Sequence, residues 1–97
     1  MSETPGALDT AVPRLPRGVR LHRDEARGGW VLLAPERILR PDAVAIEILN
    51  RIDGRASVAQ IVDSLAVAFT AARERIDADV RGFLGDLAEK GFVEFDG

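Results

Sequence analysis

Residues 19–40 contain three short segments that predict β-strands, and the first of them alternates hydrophobic and polar residues with a period of two. Residues Val19–Arg23 follow this pattern as a half-buried strand, and a polar loop ending in Gly28-Gly29 links them to the apolar run Trp30–Leu33. These two segments are predicted to form a hairpin. A turn at Pro35 then leads to a third, very short strand, Ile38–Arg40, at a free edge of the predicted sheet.

The second half of the chain places apolar residues at the spacing of amphipathic helices, and three helices are predicted. The first covers about Pro41–Ile52 and stops at Gly54, which can adopt the left-handed conformation of a helix end. The second begins at Ser57, which forms a capping box with Gln60 three residues later. The third covers about Arg73–Lys90 and carries an apolar stripe that indicates a packed face.

This order of elements predicts a small α+β domain in which a three-stranded antiparallel sheet is followed by three helices (βββααα), a winged-helix-like layout. Met1–Arg17 contains three prolines and shows neither period, so it is predicted to be a disordered tail or a linker to a fused upstream domain. The domain is then expected over residues 18–97. Its last segment, Phe92–Phe95, is expected to be an extended tail that docks on the core or the sheet.

Composition narrows the class of protein. The 97 residues are 46% hydrophobic, which fits one small domain with a modest core. The chain has no cysteine, so disulfides, thiolate metal sites and cysteine nucleophiles are excluded, and a reducing compartment is expected. Met1–Arg17 lacks the apolar stretch of a signal peptide, and no apolar run approaches the roughly 20 residues that span a bilayer. A cytoplasmic protein without a membrane partner is therefore expected.

Charge is distributed unevenly and disfavours a nucleic-acid partner. Residues 1–56 contain nine arginines and eight acidic residues, whereas residues 57–97 contain four basic and eight acidic residues. In a winged-helix DNA-binding protein the third helix would enter the groove of the duplex, where phosphate contacts require positive charge. Because the third predicted helix lies in the acidic half of the chain, DNA binding is kept as an alternative but is not favoured.

The polar residues do not form a pattern typical of catalysis. His22, the one histidine, stands on the polar side of a predicted strand and has no second histidine or cysteine with which to share a metal. The carboxylate pairs Asp77 with Asp79 and Asp24 with Glu25 have no nearby apolar pattern of a catalytic pocket. The chain also lacks a glycine-rich phosphate loop. We therefore expect neither an enzyme nor a resident cofactor or metal.

The predicted fold leaves a place for an extended peptide. Three helices cannot cover both faces of the sheet, so a groove is expected where the third helix passes the short third strand. A peptide added there as a strand would satisfy the free N–H and C=O groups, and the arginines of the edge would attract acidic residues. The predicted peptide-binding residues are Arg37, Ile38, Leu39 and Arg40 on the strand and Ile76, Val80, Phe83, Leu84 and Leu87 on the helix.

Several short motifs occur in one order along the chain. They are Trp30-Val31-Leu32-Leu33 followed by Ala34-Pro35-Glu36, Ala45-Ile46-Glu47-Ile48-Leu49 followed by Asp53-Gly54-Arg55, Ser57-Val58-Ala59-Gln60-Ile61-Val62, and Asp79-Val80-Arg81-Gly82-Phe83-Leu84 followed by Lys90-Gly91-Phe92-Val93. Each motif is ordinary on its own, but their combination within residues 17–95 resembles the PqqD family.

The resemblance implies a peptide chaperone of pyrroloquinoline quinone (PQQ) biosynthesis, with a recognition-element fold that many peptide-modifying pathways share. Members of the family bind the ribosomally made precursor PqqA and deliver it to PqqE, a radical S-adenosylmethionine enzyme that cross-links a glutamate and a tyrosine. The peptide adds beside the third strand and packs on the third helix, which here implies Arg37–Arg40 and the Ile76–Leu87 stripe. The family also occurs fused behind the oxidase PqqC, which would make Met1–Arg17 an interdomain linker.

One departure from the family affects the edge strand. Family members often place an asparagine or serine before the first helix, whereas this chain has Arg40-Pro41-Asp42. Asp42 can still cap the helix, but Pro41 is expected to remove one N–H from the edge and to shorten the strand available to a guest. Two alternatives to peptide binding stay open: a winged-helix DNA-binding domain, and a domain that self-associates through the same edge.

Overall fold

Residues 10–96 are described by the structure, a computed structural model, and they form five strands and three helices. The strands are β1 (Val12–Arg14), β2 (Arg20–Arg23), β3 (Trp30–Ala34), β4 (Arg37–Leu39) and β5 (Glu94–Asp96), and the helices are α1 (Ala43–Leu49), α2 (Val58–Phe69) and α3 (Arg73–Glu89). The α+β class and the succession of three antiparallel strands and three helices are confirmed. Two further strands, β1 and β5, join the two ends of the described chain.

Strands β2, β3 and β4 form an antiparallel sheet in that order. Leu21, Leu32 and Leu39 lie opposite one another in a row across the three strands. Leu32 is fully buried, and its two neighbours in the row are half-buried against the hydrophobic core. Because side chains alternate between the two faces of a sheet, this row marks the face that packs on the helices. The row that contains Leu33 and Ile38 therefore lies on the outer face.

The helices bury most of their predicted apolar stripes in one core, although Val44 of α1 and Phe69 of α2 stay exposed. The Ser57 side chain accepts a hydrogen bond from the Gln60 N–H (3.2 Å), and the Gln60 side chain accepts one from the Ser57 N–H (2.9 Å), so the predicted capping box of α2 is confirmed. The buried residues of α2 and α3 are Val58, Ile61, Val62, Leu65, Val80, Leu84 and Leu87. Among residues 10–96, no helix is both long and apolar enough to cross a membrane.

Helix α1 is shorter than the predicted Pro41–Ile52. Its N-terminus is capped by Asp42, whose Oδ1 accepts a hydrogen bond from the Ala45 N–H (2.8 Å). Beyond its last turn, the N–H groups of Arg51 and Ile52 bond to the carbonyls three residues earlier, not four. The apolar spacing continues to Ile52 although the α-helical hydrogen bonding does not, so the pattern overestimates the helix.

The C-terminal segment docks on the core, as expected. Phe92 and Val93 are each 3% exposed and belong to the hydrophobic core. Gly91 has a φ of 85°, which turns the chain after α3, and the Phe92 N–H donates to the Leu87 carbonyl (2.8 Å). The strand that follows, β5, pairs with β1 and not with the three-stranded sheet.

The expectation of a disordered tail or linker over Met1–Arg17 is corrected for residues 10–17, because β1 lies there and pairs with β5 in antiparallel register. Residues 1–9 lie outside the described part of the chain. Strand β1 was not predicted because it contains Pro13, and proline cannot donate to a ladder and is uncommon in strands. Its partner in the register is Phe95, at the other end of the chain. No local pattern reports a pairing between residues so far apart in sequence.

Candidate functional site

The free edge of β4 exposes the backbone groups of Ile38. Ala34 and Arg37 pair across the two-residue turn that joins β3 to β4, so they form the hydrogen-bonded pair that closes the hairpin. Hydrogen-bonded and non-bonded pairs alternate along an antiparallel ladder. Leu39 is therefore bonded to β3 again, whereas the N–H and C=O of Ile38 point away from β3.

The same alternation changes the roles predicted for the neighbouring residues. The N–H of Leu39 already serves the sheet, and its side chain packs on the hydrophobic core. One step past β4, the alternation turns Arg40 outward and Pro41 towards β3. The missing N–H of Pro41 therefore ends the pairing with β3 and removes no donor from the free edge, in contrast to the expectation from the sequence.

A hollow of about 310 Å³, here called the edge groove, lies between the end of β4, the start of α1 and one face of α3. It brings together four of the predicted residues, Leu39 and Arg40 from the strand side and Phe83 and Leu87 from the helix. The other lining residues are Pro41, Asp42, Val44, Ala45, Ile48, Asp79 and Asp86. A groove is thus present where the third helix passes the edge strand.

A second hollow, of about 120 Å³ and here called the junction pocket, lies where the three helices meet. Two predicted residues, Ile76 and Val80, are found here and not beside β4. The full lining is Val44, Ile48, Leu65, Phe69, Ile76, Asp79 and Val80, of which Val44, Ile48 and Asp79 also line the edge groove. The two hollows are therefore adjacent along α3.

One predicted residue, Leu84, belongs to the core and lines neither hollow. Helical spacing identifies an apolar stripe, but it does not separate the residues that a ligand can reach from those that it cannot. Conversely, Val44 and Phe69 were not predicted to lie in the site. The structure identifies them by their exposure, because these large apolar side chains remain 55% and 48% exposed.

Arg37 lies beyond the edge groove, at the C-terminal end of α3. Its Nη1 donates to the Lys90 carbonyl oxygen (2.8 Å), and its guanidinium lies over the Phe92 ring, 5.8 Å from the centroid. Carbonyls at a helix C-terminus lack intrahelical partners and carry partial negative charge, so they favour a cation. Arg37 therefore tethers β4 to the end of α3.

The charges that line the edge groove are mostly negative. Arg40 is offset by Asp42 and Asp79, and Asp86 is paired with Lys90 Nζ (3.0 Å). In addition, Arg40 Nη1 lies 3.4 Å from Oδ2 of Asp24, which partly neutralises it. The groove therefore attracts an acidic peptide less than the arginines of the edge strand suggested.

The lining of the two hollows suits non-covalent binding. The side chains are apolar except for Arg40, Asp42, Asp79 and Asp86, so a ligand there can gain both apolar contacts and charged hydrogen bonds. His22 is exposed on β2. Within residues 10–96, no three histidine, cysteine, aspartate or glutamate side chains come close enough to hold a metal ion.

Comparison with known proteins relates this site to a family. The family model described as coenzyme PQQ synthesis protein D (PqqD) matches residues 29–93. A protein of Rhodopseudomonas palustris strain TIE-1 named PqqA binding protein is 54% identical over 85 residues, which are 88% of this chain and 83% of that protein. A Methylorubrum extorquens protein named bifunctional coenzyme PQQ synthesis protein C/D is 47% identical over 83 residues, which are 86% of this chain and 22% of that longer protein.

A solved structure shares the fold. It is the solution NMR structure of the PqqD truncation of Methylobacterium extorquens PqqCD, described as a functional and stand-alone recognition element for ribosomally synthesized and modified peptides. The TM-score is 0.73 at 47% sequence identity, and the match covers 86% of this chain and 88% of that one. The resemblance inferred from the motifs is confirmed, and the chain belongs to the PqqD family.

Proposed function

We propose that this protein binds the PqqA precursor peptide as a strand added to β4 and presents it to PqqE. The name PqqA binding protein, carried by a relative of 54% identity, supports the choice of peptide. The observation that carries the mode of binding is the outward N–H and C=O of Ile38 beside the edge groove. A guest backbone paired with Ile38 satisfies both groups, and the groove then buries side chains of the guest.

A guest strand on β4 presents its side chains alternately to two surfaces. One set enters the edge groove, between Leu39 on one side and Phe83 on the other. The other set lies on the outer face beside Ile38, whose side chain is 64% exposed. Covering Ile38 removes apolar surface from water, so we expect the guest to carry apolar residues on both of its faces near the paired position.

The protein acts as a carrier in this proposal and not as a catalyst. The cross-linking chemistry belongs to PqqE. The domain contributes by holding the precursor in one extended conformation, which lowers the entropic cost of ordering the peptide in the enzyme. A partnership with PqqC is part of the same proposal, because one relative is named as bifunctional for synthesis proteins C and D.

The binding site is tested by titrating ¹⁵N-labelled protein with synthetic PqqA in NMR experiments. We expect saturable shifts of the amides of Ile38, Arg40, Phe83 and Leu87, with a Kd in the micromolar range or tighter. Shifts confined to α2 and to the β1–β5 sheet would place the site elsewhere. If PqqA does not bind even at millimolar concentration, the function is wrong.

Presentation to PqqE requires a separate measurement. We expect cross-linking of PqqA by PqqE to depend on this protein, and we expect the Ile38→Pro variant to be unable to replace it. Equal cross-linking with and without the protein would restrict its role to binding.

DNA is disfavoured as a partner by the charge of α3. The helix carries five acidic residues and three arginines, so its net charge is negative, as is that of the phosphates of a duplex. Repulsion at the element that would enter the groove opposes the DNA-binding alternative.

A further inference from the structure

The junction pocket lies outside the reach of β4 but adjoins the edge groove through the shared residues Val44, Ile48 and Asp79. We infer that it anchors one apolar side chain of the bound peptide, beyond the stretch that pairs with β4. This inference rests on the proposed function and adds a second recognition element to it.

The length of α3 along the two hollows indicates that strand pairing alone holds only part of the guest. The hollows together extend from Ile76 to Leu87, which is about 16 Å at the α-helical rise of 1.5 Å per residue. An extended peptide needs about five residues to cover that distance. β4 is three residues long, and only Ile38 among them turns its backbone groups outward. The remaining part of the guest is held by side chains.

The chemistry of the junction pocket fits an aliphatic or aromatic side chain. Its lining is apolar except for Asp79. Its volume of about 120 Å³ is close to that of an apolar cavity of about 150 Å³ that holds benzene. Val44 and Phe69 stand at its rim with about half of their surface in water. An apolar occupant would cover both, and the hydrophobic effect favours that.

Asp79 lies where the guest passes from one hollow to the other. It is exposed, lines both hollows, and forms no ion pair within residues 10–96. Its carboxylate can accept a hydrogen bond from the guest backbone or from a cationic side chain, and it repels a carboxylate. The residue next to the anchored side chain is therefore expected to be uncharged or basic.

A second copy of this chain is the competing occupant. Two copies related by a two-fold axis through β4 would bring identical surfaces together. The acidic residues Asp42, Asp79 and Asp86 would then face their own counterparts, and each chain carries a net charge of −3. Like charges oppose this contact, so the peptide is the favoured occupant.

The inference is tested by comparing Phe69→Ser with Val67→Ser in calorimetric titrations with PqqA. Val67 is the matched control, because it is an exposed apolar residue of the same helix (82% exposed) that lines neither hollow. We expect Phe69→Ser to weaken binding about fivefold to tenfold and Val67→Ser less than about twofold. Ile76→Ala, on α3, changes a residue that lines the junction pocket but not the edge groove, so it should reproduce the loss and carries the test if Phe69→Ser perturbs the fold.

A double-mutant cycle identifies the anchored side chain. One apolar residue of PqqA, when replaced by alanine, should cost about tenfold in affinity for the wild-type protein but less than about twofold for Phe69→Ser. Unchanged affinity of both Phe69→Ser and Ile76→Ala, while the Ile38 amide still shifts, would overturn the anchor and leave the proposed function standing. If the wild-type protein does not bind PqqA at all, the proposed function fails, and the anchor fails with it.

Light scattering tests whether a second copy of this chain, and not the peptide, occupies the junction pocket. We expect the association state of the protein to be the same for the wild type, Phe69→Ser and Val67→Ser. If Phe69→Ser reduces self-association and leaves PqqA affinity unchanged, the pocket serves a second copy and the inference is overturned.

Discussion

The three-stranded sheet has two edges, and they differ in what surrounds them. The β2 edge exposes Arg20, His22 and Arg23, and charged side chains on an edge strand oppose pairing with another chain. The β4 edge also exposes Arg37 and Arg40, but the first donates to the Lys90 carbonyl and the second lies 3.4 Å from Asp24 Oδ2. Between them it exposes the apolar side chain of Ile38, and it borders the edge groove. Both edges carry outward backbone groups, so hydrogen-bonding capacity does not distinguish them.

On β2 the outward groups belong to Leu21 and Arg23. The Asp24 N–H bonds to the Gly29 carbonyl (2.9 Å), and the alternation along the ladder follows from that bond. Arg23 also lies over the Trp30 ring, 5.9 Å from the centroid. A guest on β2 would gain backbone hydrogen bonds beside Arg20 and Arg23, whereas a guest on β4 would also contact Leu39 and Phe83 in the edge groove. If the peptide binds at β4 as proposed, the surface beside the free edge would select it, and not the edge alone.

The largest difference in PqqA affinity between the two edges is expected when each edge is blocked with proline. Ile38→Pro removes the outward N–H of β4 without removing a bond to β3, and its ring obstructs a guest strand, so PqqA affinity should fall more than about tenfold. Arg23→Pro makes the same change on β2 and should leave the affinity unchanged. Calorimetric titration measures both.

Two results would contradict the prediction that PqqA binding depends on strand pairing at β4 and not at β2. Equal losses from Ile38→Pro and Arg23→Pro would show that binding does not depend on β4. An equal loss from Ile38→Ala, which keeps the N–H, would assign the effect to the side chain and not to strand pairing.

The next largest effect is expected from removing one wall of the edge groove. Phe83→Ala should weaken PqqA binding about fivefold, because a half-buried aromatic surface that the guest would cover is lost. Arg20→Ala on the β2 edge should have no effect on affinity. Thermal unfolding of both variants checks that the fold is retained, and an affinity unchanged by Phe83→Ala would exclude the groove from the site.

A smaller effect is expected from making the β2 edge more like β4. Replacing Arg20 and Arg23 by valine removes the charges that protect β2, so self-association should increase in light scattering. PqqA affinity should stay within about twofold of the wild-type value, because no apolar groove is created. An increase in PqqA affinity would show that charge, and not the groove, distinguishes the two edges.

The smallest effect concerns Asp24, which connects the β2–β3 loop to Arg40 beside the groove. The pKa of Asp24 lies below its ordinary value of 3.8, first because of a hydrogen bond from the Arg27 N–H and further because of Arg40. A lowered folded-state pKa contributes stability above the unfolded-state pKa, and this contribution is lost as the pH falls through the folded-state value. Asp24→Asn should therefore flatten the fall in melting temperature below about pH 4.

Melting temperatures recorded from pH 5 to pH 2 test this prediction. Glu25→Gln, one residue along the same loop, is the control and should keep the wild-type slope. If Asp24→Asn and the wild type lose stability in parallel, the hydrogen bonds to Asp24 do not contribute to acid sensitivity.

Features that join residues close in sequence were predictable. The capping box of Ser57 and Gln60 and the two hairpins of the sheet involve partners a few residues apart, so the residue types report them directly. The end of α1 was not predictable to the residue, because apolar spacing measures which side chains are buried and not which backbone bonds form.

The candidate site was predictable in part. Leu39, Arg40, Phe83 and Leu87 come together in the edge groove. The helical stripe was identified, and the edge strand was predicted one residue too late, as Ile38–Arg40 where the structure has Arg37–Leu39. Leu84 shares the periodicity of its neighbours but is buried in the core, where a ligand cannot reach it. A period locates a face of a helix and does not report which part of that face a second element covers.

The sequence specifies the three strands of the β2–β3–β4 sheet, the helices, the caps of α1 and α2 and the family, because each is encoded in residues that lie near one another or in motifs in a set order. Tertiary packing decides what those elements face. It pairs Pro13 with Phe95 across the length of the chain and holds Arg37 against the end of α3. It also joins Val44 to Ile76 at the junction pocket. Such contacts depend on the relative orientation of whole elements, which arises only when the core closes around them.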